Sequence, residues 1–333
     1  MSVLVISDLH LTSQPRDAYR WEVMEFIRDE ANRREDVQEV WCLGDITDAK
    51  DRHPSDLVNR MVSWILSFEK PIRILKGNHD YIHGERPFFG FVDEFEGIDY
   101  ITEPTRYETV MGTTLWLPHT RTAVDDWAEV DLSGVDIILT HQSYEGALAA
   151  NGVRLESKLT PRYFTKRGFE GLVLSGDIHR PQTLGDVIYI GTQYPVVFGD
   201  TYDPRYIELH QGDVLEVRDV PIKAPRKLSL RLLSLDDLPE LRPGDMVRVV
   251  FGMNRAEIGT WDEVSSEVRR RVESAGASLA EITCNVLDVN NTEGTAYAHD
   301  ASVTDTRDVI RSFVRSRGLT DEDEQYALTF VDE

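Results

Sequence analysis

The chain has 333 residues, of which 41% are hydrophobic and 29% are charged, and its formal net charge is −23. This composition supports a sizeable apolar core and excludes global disorder. The acidic charge argues against binding of nucleic acid through the overall field, because phosphate backbones are normally held by a surplus of Lys and Arg. A polyanionic substrate would therefore need divalent metals, a local arginine cluster or a partner protein.

The cysteines and the N-terminal residues indicate the cellular compartment of the protein. Cys42 and Cys284 are far apart and lack CxxC spacing, so neither a disulfide framework nor a zinc knuckle is predicted. The N-terminus lacks a basic leader, and no apolar run approaches the ~20 residues that a membrane span needs. We expect a cytoplasmic protein without a membrane partner.

The first part of the chain alternates between strand and helix patterns. Apolar strands are predicted at 3–6, 39–43 and 72–75, and amphipathic helices at 19–33 and from 55 to about 68. Such alternation predicts an α/β fold, in which helical layers cover a sheet.

From about residue 107 the pattern changes to shorter strands with turn signals between them. These strands are predicted at 109–112, 114–117, 136–139, 172–174 and 187–190, followed by a hairpin across 210–213. A mixed sheet is therefore expected.

A segment with two prolines, 221–227, predicts a linker between two domains. A larger α/β domain is expected at 1–223 and a small α+β domain at 228–333. The small domain is predicted to contain a strand at 246–251, a helix at 261–275, a strand at 281–287 and a helix at 305–317. An acidic stretch at 320–324 is either solvated or in contact with a partner.

Polar clusters follow five of the predicted strands directly. They are Asp8 with His10, Asp45 with Asp48, the run Asn78-His79-Asp80, His141, and Asp177 with His179. The loops at the carboxyl ends of neighbouring strands converge in space, where open α/β sheets keep their sites. Taken singly, Asp8 or Asp45 is more typical of a turn or a helix cap. The ordered set instead predicts one metal site.

The donor atoms of this set are oxygen and imidazole nitrogen, without a thiolate. They favour two Mn²⁺ ions, with Mg²⁺, Fe or Zn²⁺ as alternatives. A carboxylate such as Asp45 can bridge two ions, which bind phosphate oxygens and lower the pKa of a water for in-line attack. His79 is the candidate general acid for the leaving group, and Asp48 is the candidate that orients its imidazole.

The motif series resembles that of calcineurin-like metallophosphoesterases. The matching segments are Asp8-Leu9-His10, Gly44-Asp45, Gly77-Asn78-His79-Asp80, His141 and Gly176-Asp177-Ile178-His179. The resemblance implies a sandwich of two mixed β-sheets flanked by helices, with a smaller C-terminal α+β domain. It also implies that Asp8, His10 and His179 hold one ion, that Asn78 and His141 hold the other, and that Asp45 bridges both. Asp177 would serve the second ion, although the family usually has histidine there.

Within that superfamily the chain is most similar to SbcD-type DNA-repair nucleases, including the shorter phage forms. Residues 176–200 resemble the segment that closes the nuclease domain of that group, and the C-terminal third has the size and place of its DNA-capping domain. The resemblance implies Mn²⁺-dependent cleavage of DNA in a bacterial or phage-infected cell, a homodimer, and an SbcC-like coiled-coil ATPase as partner. Asp48 departs from this pattern, because it resembles the phosphatase branch.

Three residues of the motif loops, Arg52, His53 and Arg180, are candidate substrate contacts. Solvated side chains explain the two arginines equally well, and a histidine such as His53 is more often a surface residue or one with its hydrogen bonds satisfied. Two alternative functions stay open. One is a phosphodiesterase or phosphatase that acts on nucleotides or a phosphoprotein, with the C-terminal unit as a lid. The other is a non-catalytic scaffold for an ATPase, against which the intact ligand series argues.

Overall fold

A computed structural model describes residues 1–81, 87–149, 152–200 and 202–287 of the protein. The strands are β1 (Ser2–Ile6), β2 (Val37–Cys42), β3 (Ile72–Leu75), β4 (Ile98–Ile101), β5 (Thr105–Thr109), β6 (Gly112–Leu117), β7 (Ile137–His141), β8 (Leu172–Gly176), β9 (Gln182–Leu184), β10 (Val187–Tyr189), β11 (Arg205–His210), β12 (Val214–Asp219), β13 (Lys227–Leu232), β14 (Met246–Asn254) and β15 (Ser278–Leu287). The helices are α1 (Ala18–Arg33), α2 (Ser55–Leu66), α3 (Ala123–Asp126) and α4 (Trp261–Ser274). Short 3-10 helices lie at Pro15–Asp17, Phe88–Glu94, Thr165–Arg167, Leu235–Asp237 and Arg255–Thr260.

Two six-stranded mixed sheets form most of the structure. Their strand orders are β12-β11-β1-β2-β3-β4 and β5-β6-β7-β8-β10-β9. In the first sheet β1 to β4 are parallel, and in the second β6, β7, β8 and β10 are parallel. The carboxyl ends of β1, β2 and β3 therefore meet at one edge of the first sheet, and those of β7 and β8 meet at one edge of the second.

The alternation of side chains along each strand builds two apolar layers on the first sheet. Val3 and Val5 of β1 belong to a cluster with β7 and β8 of the second sheet, whereas Leu4 and Ile6 pack with α1 and α2. Between the sheets the Trp41 and Trp116 rings meet edge to face with centroids 5.5 Å apart. Truncation of such a buried ring to alanine costs about 3–5 kcal/mol.

The second sheet is covered on its other face as well. Trp127 and Phe164 stack at 6.0 Å in a buried cluster with Ile138 and Val173 of β7 and β8. Helical and loop layers thus flank the two packed sheets, and the predicted fold class is confirmed.

The third sheet, β13-β14-β15, has a core of its own. β13 and β14 are parallel. Val247, Val249 and Phe251 of β14 lie in one buried cluster with Val268 and Val272 of α4. This small α+β part follows the two larger sheets in the chain, as predicted.

The chain divides into two compact units, Met1–Val286 and Leu287–Glu333. The domain boundary expected between 223 and 228 stays a prediction. The predicted helix at 305–317 and the acidic stretch at 320–324 lie outside the described residues. Among the described residues, none of the helices has the length and apolarity that a membrane span requires.

The predicted strand at 109–112 was wrong. Thr109 and Gly112 are the paired ends of β5 and β6, and Val110 and Met111 form the turn between them. The Thr109 hydroxyl donates to the Gly112 carbonyl at 2.9 Å, and Gly112 adopts a left-handed φ of +100°. The turn chemistry of threonine and glycine outweighs the β-propensity of valine at this position.

Candidate metal centre

The polar clusters after five strands come together where the two sheets meet. Asp8 and His10 follow β1, Asp45 follows β2, Asn78 and His79 follow β3, His141 ends β7, and Asp177 and His179 follow β8. Three groups drawn from these side chains each have ligand atoms within 4.8 Å of one another: Asp8, His10 and His179; His10, Asp45 and His79; and Asp8, Asp45 and His141. Five of the seven predicted ligands, Asp8, His10, Asp45, His141 and His179, therefore form one continuous cluster.

Asp45 lies at the centre of this cluster. Its Oδ2 atom is 3.5 Å from His10 Nε2, and its Oδ1 atom is 3.4 Å from His141 Nε2. The same His10 Nε2 atom also lies 3.0 Å from His179 Nε2. One carboxylate thus faces two separate imidazole groups, as a bridging ligand must.

The backbone at the cluster is strained in a way that is common at functional sites. Four of its residues have positive φ angles: Asp8 (53°), His10 (42°), Asp45 (55°) and Asp177 (79°). Positive φ is uncommon outside glycine, although Asp, Asn and His tolerate it best. The tight turns at these residues direct their side chains towards the ends of the strands.

Glycine is required next to the ligands because the backbone and side chains are in close contact. Gly44 has a φ of +97°, and a Cβ atom there would lie 2.6 Å from His141 Nδ1. A Cβ atom at Gly77 would collide with the Asp45 carboxylate. The two glycines leave room for ligands that approach from both sheets.

Some atoms of the cluster that could bind a metal ion lack hydrogen-bond partners. In the described part of the chain, Asn78 Oδ1 and His141 Nε2 are buried and unpaired. His141 Nδ1 lies 2.5 Å from the Leu43 carbonyl, which fixes a proton on Nδ1 and makes Nε2 the nitrogen that can bind a cation. Buried polar groups are normally paired, so atoms of this kind fit a bound cation.

The carboxylates and imidazoles of the cluster shift one another's pKa values. Burial raises the pKa of Asp8 to about 6, although His141 and His179 oppose the shift. Burial alone would raise the pKa of Asp45, but the nearby His141 and His10 hold it below its ordinary value. Burial alone would lower the pKa of His141, but Asp45 raises it well above its ordinary value. Buried carboxylates that lie this close together need positively charged partners, and divalent cations would fill that role.

Asp177 occupies the edge of the cluster beside β7. The Ser143 hydroxyl donates to one of its oxygens, and Asn78 Nδ2 donates to Oδ1 at 3.3 Å. Oδ1 is also 3.9 Å from His141 Nε2. The carboxylate thus lies with Asn78 and His141, where the resemblance places the second ion.

Comparison with known proteins identifies the family. The sequence model of the calcineurin-like phosphoesterases matches residues 1–181. The chain belongs to this family. It is a metal-dependent phosphoesterase, and its clustered carboxylates and imidazoles are the candidate metal ligands.

Solved structures resemble the phosphoesterase at low sequence identity. A novel archaeal phosphodiesterase aligns over 66% of this chain and 100% of its own, with 14% identity and a TM-score of 0.37. Purple acid phosphatase PPD1 from yellow lupin (Lupinus luteus) seeds aligns over 66% of this chain and 51% of its own, with 16% identity and a TM-score of 0.39. No curated protein matches the chain.

The His79 imidazole of the phosphoesterase is held differently from the expectation. Its Nδ1 atom bonds the backbone carbonyl of Asp48 at 2.8 Å. The Asp48 carboxylate instead lies 3.6 Å from His10 Nδ1, and its side chain is 60% exposed. The backbone of the loop after β2, and not the predicted carboxylate, orients His79.

The three candidate substrate contacts have different surroundings. His53 Nε2 bonds Thr47 Oγ1 at 2.8 Å and the Ala49 carbonyl at 3.1 Å, so this imidazole is engaged within its own loop. Arg52 is exposed and lines an open depression that Asp48 also lines. Arg180 is exposed directly after His179.

Sequence reasoning left Asp80 of the phosphoesterase without a role. Its buried carboxylate accepts the backbone N–H groups of Asp45 (3.0 Å), Ile46 (3.1 Å) and Gly77 (2.7 Å). Asp80 therefore clamps the loop after β2 to the loop after β3. Its place at the end of the Gly77-Asn78-His79-Asp80 run was the available signal.

Proposed function

We propose that the phosphoesterase is an SbcD-like nuclease that hydrolyses phosphodiester bonds within a DNA strand. One observation carries this choice: two open depressions adjoin the ligand cluster, one through Asp48 beside His10 and the other through Asn78 and Asp177. A strand that crosses the cluster could place nucleotides on both sides of the scissile phosphate. A monoester substrate would need only one of these depressions.

The first depression adjoins the His10 side of the cluster. It has a volume of about 750 Å³, and its lining includes Asp48, Arg16, Arg52 and Arg248. Arg16 and Arg52 are exposed. Arg248 pairs with Glu281 at 2.7 Å. This local group of arginines supplies positive charge that the chain as a whole lacks, and arginine binds phosphate in a bidentate manner.

The second depression adjoins the Asn78 and Asp177 side. It has a volume of about 440 Å³, and its lining includes His119, Arg121 and Lys158. Burial lowers the pKa of His119 to about 3, so its imidazole is neutral near pH 7. Basic and neutral polar groups of this kind suit the phosphate and sugar of a neighbouring nucleotide.

The residues of the cluster have different roles in this proposal. Asp8, His10 and His179 would hold one ion, Asn78, His141 and Asp177 the other, and Asp45 both. When bound, two such ions activate a water and polarise the phosphoryl oxygens. Asp80 holds the two loops in register. His79, with its Nδ1 tied to the Asp48 carbonyl, has Nε2 available to deliver a proton to the leaving oxygen.

A phosphodiesterase or phosphatase with a smaller substrate is the second candidate. The Asp48 carboxylate favours it, because this exposed negative group stands at the border of the first depression, where a DNA backbone would pass. The net charge of −23 also favours a smaller substrate, because an acidic protein repels the DNA backbone.

The acidic net charge of the chain is the reason that partner proteins belong to this proposal. An SbcC-like ATPase and a second copy of the chain would add DNA affinity that two depressions alone do not provide. DNA binding by the isolated chain is therefore expected to be weak and to fall steeply with salt.

The experiment compares three substrates with Mn²⁺ as the metal: linear duplex DNA, bis-p-nitrophenyl phosphate and p-nitrophenyl phosphate. The R16Q/R52Q double variant is compared with R269Q, which changes an exposed arginine on α4. We expect R16Q/R52Q to raise the KM for DNA about tenfold without changing cleavage of the small diester. R269Q should leave both unchanged. Activity confined to the small esters would refute the nuclease and support the second candidate.

A further inference from the structure

The two halves of the ligand cluster differ in their donor atoms. Asp8, His10 and His179 offer two imidazole nitrogens and one carboxylate. Asn78, His141 and Asp177 offer one imidazole nitrogen, one amide oxygen and one carboxylate. Asp45 is common to both halves, so the second half presents three oxygen donors for one nitrogen.

Hydrogen bonds determine which atoms the second half presents. Asn78 Nδ2 donates to Asp177 Oδ1 at 3.3 Å, which turns the amide so that Asn78 Oδ1 stays buried and unpaired within the described structure. The Ser143 hydroxyl holds the other oxygen of Asp177. The Asp177 carboxylate thereby fixes the direction of its neighbouring oxygen ligand as well as its own.

The backbone does not require a carboxylate at position 177. The φ of Asp177 is +79°, and His10 adopts a comparable φ of +42° in the same cluster, so histidine tolerates this region. The Asp177 N–H donates to Asp8 Oδ1 at 3.0 Å, and any residue except proline can make this bond. The side chain at 177 therefore acts through its chemistry and its charge.

We infer that Asp177 shifts the preference of the second metal position towards the harder ions Mn²⁺ and Mg²⁺, so that Zn²⁺ displaces them there less readily than at the first position. Carboxylate and amide oxygens suit Mg²⁺ and Mn²⁺, and imidazole suits Zn²⁺. A histidine at position 177 would give both halves two nitrogens. This inference rests on the two-ion site proposed above.

The test measures metal binding and not activity. Wild type, D177H and D177N are each loaded with Mn²⁺ and titrated with Zn²⁺, and the bound metals are counted by mass spectrometry and followed by calorimetry. D125N is the matched control, because Asp125 is exposed and lines the same depression without contacting the cluster. Thermal unfolding of each variant checks that it folds.

In wild type we expect two-step displacement, with one Mn²⁺ released at a lower Zn²⁺ concentration than the other. D177H should raise the Zn²⁺ preference of the second ion about tenfold and merge the two steps. D177N should weaken Mn²⁺ at the second position and leave the first unchanged. D125N should behave as wild type.

Single-step displacement in folded wild type, with two ions bound, would overturn the inference and leave the two-ion site intact. The same holds if D177H folds, binds two ions and keeps the wild-type preference. If wild type binds fewer than two ions, both the two-ion site and the inference fail. Should D177H not fold, the wild-type titration and S143A, which releases one oxygen of Asp177, still decide the question. S143A should reduce the separation between the two steps.

Discussion

Replacement of His79 tests the assignment of the general acid. His79 lies within ligand distance of His10 and Asp45, so its imidazole is placed either to bind an ion or to deliver a proton. The contact of Nδ1 with the Asp48 carbonyl favours proton delivery through Nε2. We expect H79A to keep two bound ions and to lose about 10²–10⁴ in kcat on DNA. This loss corresponds to about 3–5 kcal/mol of barrier.

The assay compares leaving groups. A deoxynucleoside leaves as a poor, basic alkoxide and needs the proton, whereas p-nitrophenolate leaves readily without one. H79A should therefore be impaired on DNA and nearly unimpaired on bis-p-nitrophenyl phosphate, with metal content measured in parallel. D48A is the matched control: since the backbone carbonyl of residue 48 is retained, its loss on DNA should be less than tenfold.

Two results would refute this reasoning. If H79A loses an ion, His79 is a metal ligand and the proton has another source. If H79A is equally slow on both leaving groups, or D48A is as slow as H79A on DNA, then the imidazole does not act as an acid held by the loop backbone.

Three further predictions concern stability. Burial alone would raise the pKa of Glu208, but hydrogen bonds from Arg34 and Arg218 lower it from 4.5 to about 2, so its stabilisation is complete above pH 4.5 and is lost as the pH falls towards 2. E208Q should cost about 2 kcal/mol at pH 7, and its difference from wild type in urea unfolding should shrink at pH 3; a difference independent of pH would contradict this. G77A, whose new Cβ meets the Asp45 carboxylate, should lower the free energy of unfolding by about 1–3 kcal/mol or more and weaken metal binding, whereas G259A, where a Cβ meets nothing within 4 Å, should be neutral or slightly stabilising. Equal effects of the two glycine variants would disprove the close packing at Gly77. Removal of metal with a chelator should lower the free energy of unfolding by about 3 kcal/mol for each bound ion, relative to protein in metal at a hundred times its dissociation constant, and an unchanged melting temperature would show that the folded protein held none.

The sequence by itself determined the layered fold and predicted the polar residues that the structure brings together in the cluster. Strand β3 was predicted at its observed bounds, and β1 and α1 to within one residue, because continuous apolar runs and helical periodicity are local patterns. The polar residues directly after these strands had to meet once the strands became parallel neighbours, since parallel strands place their carboxyl ends at one edge.

Only the tertiary structure decided how the ligands are supported. Ser143 and Asp177 are 34 positions apart and meet because β7 and β8 are adjacent. The Asp48 carboxylate faces His10 while its carbonyl faces His79, and the turn geometry after β2 sets this choice. The two depressions depend on contacts between loops far apart in the chain. Such contacts have no period and no local signature, so packing alone specifies them.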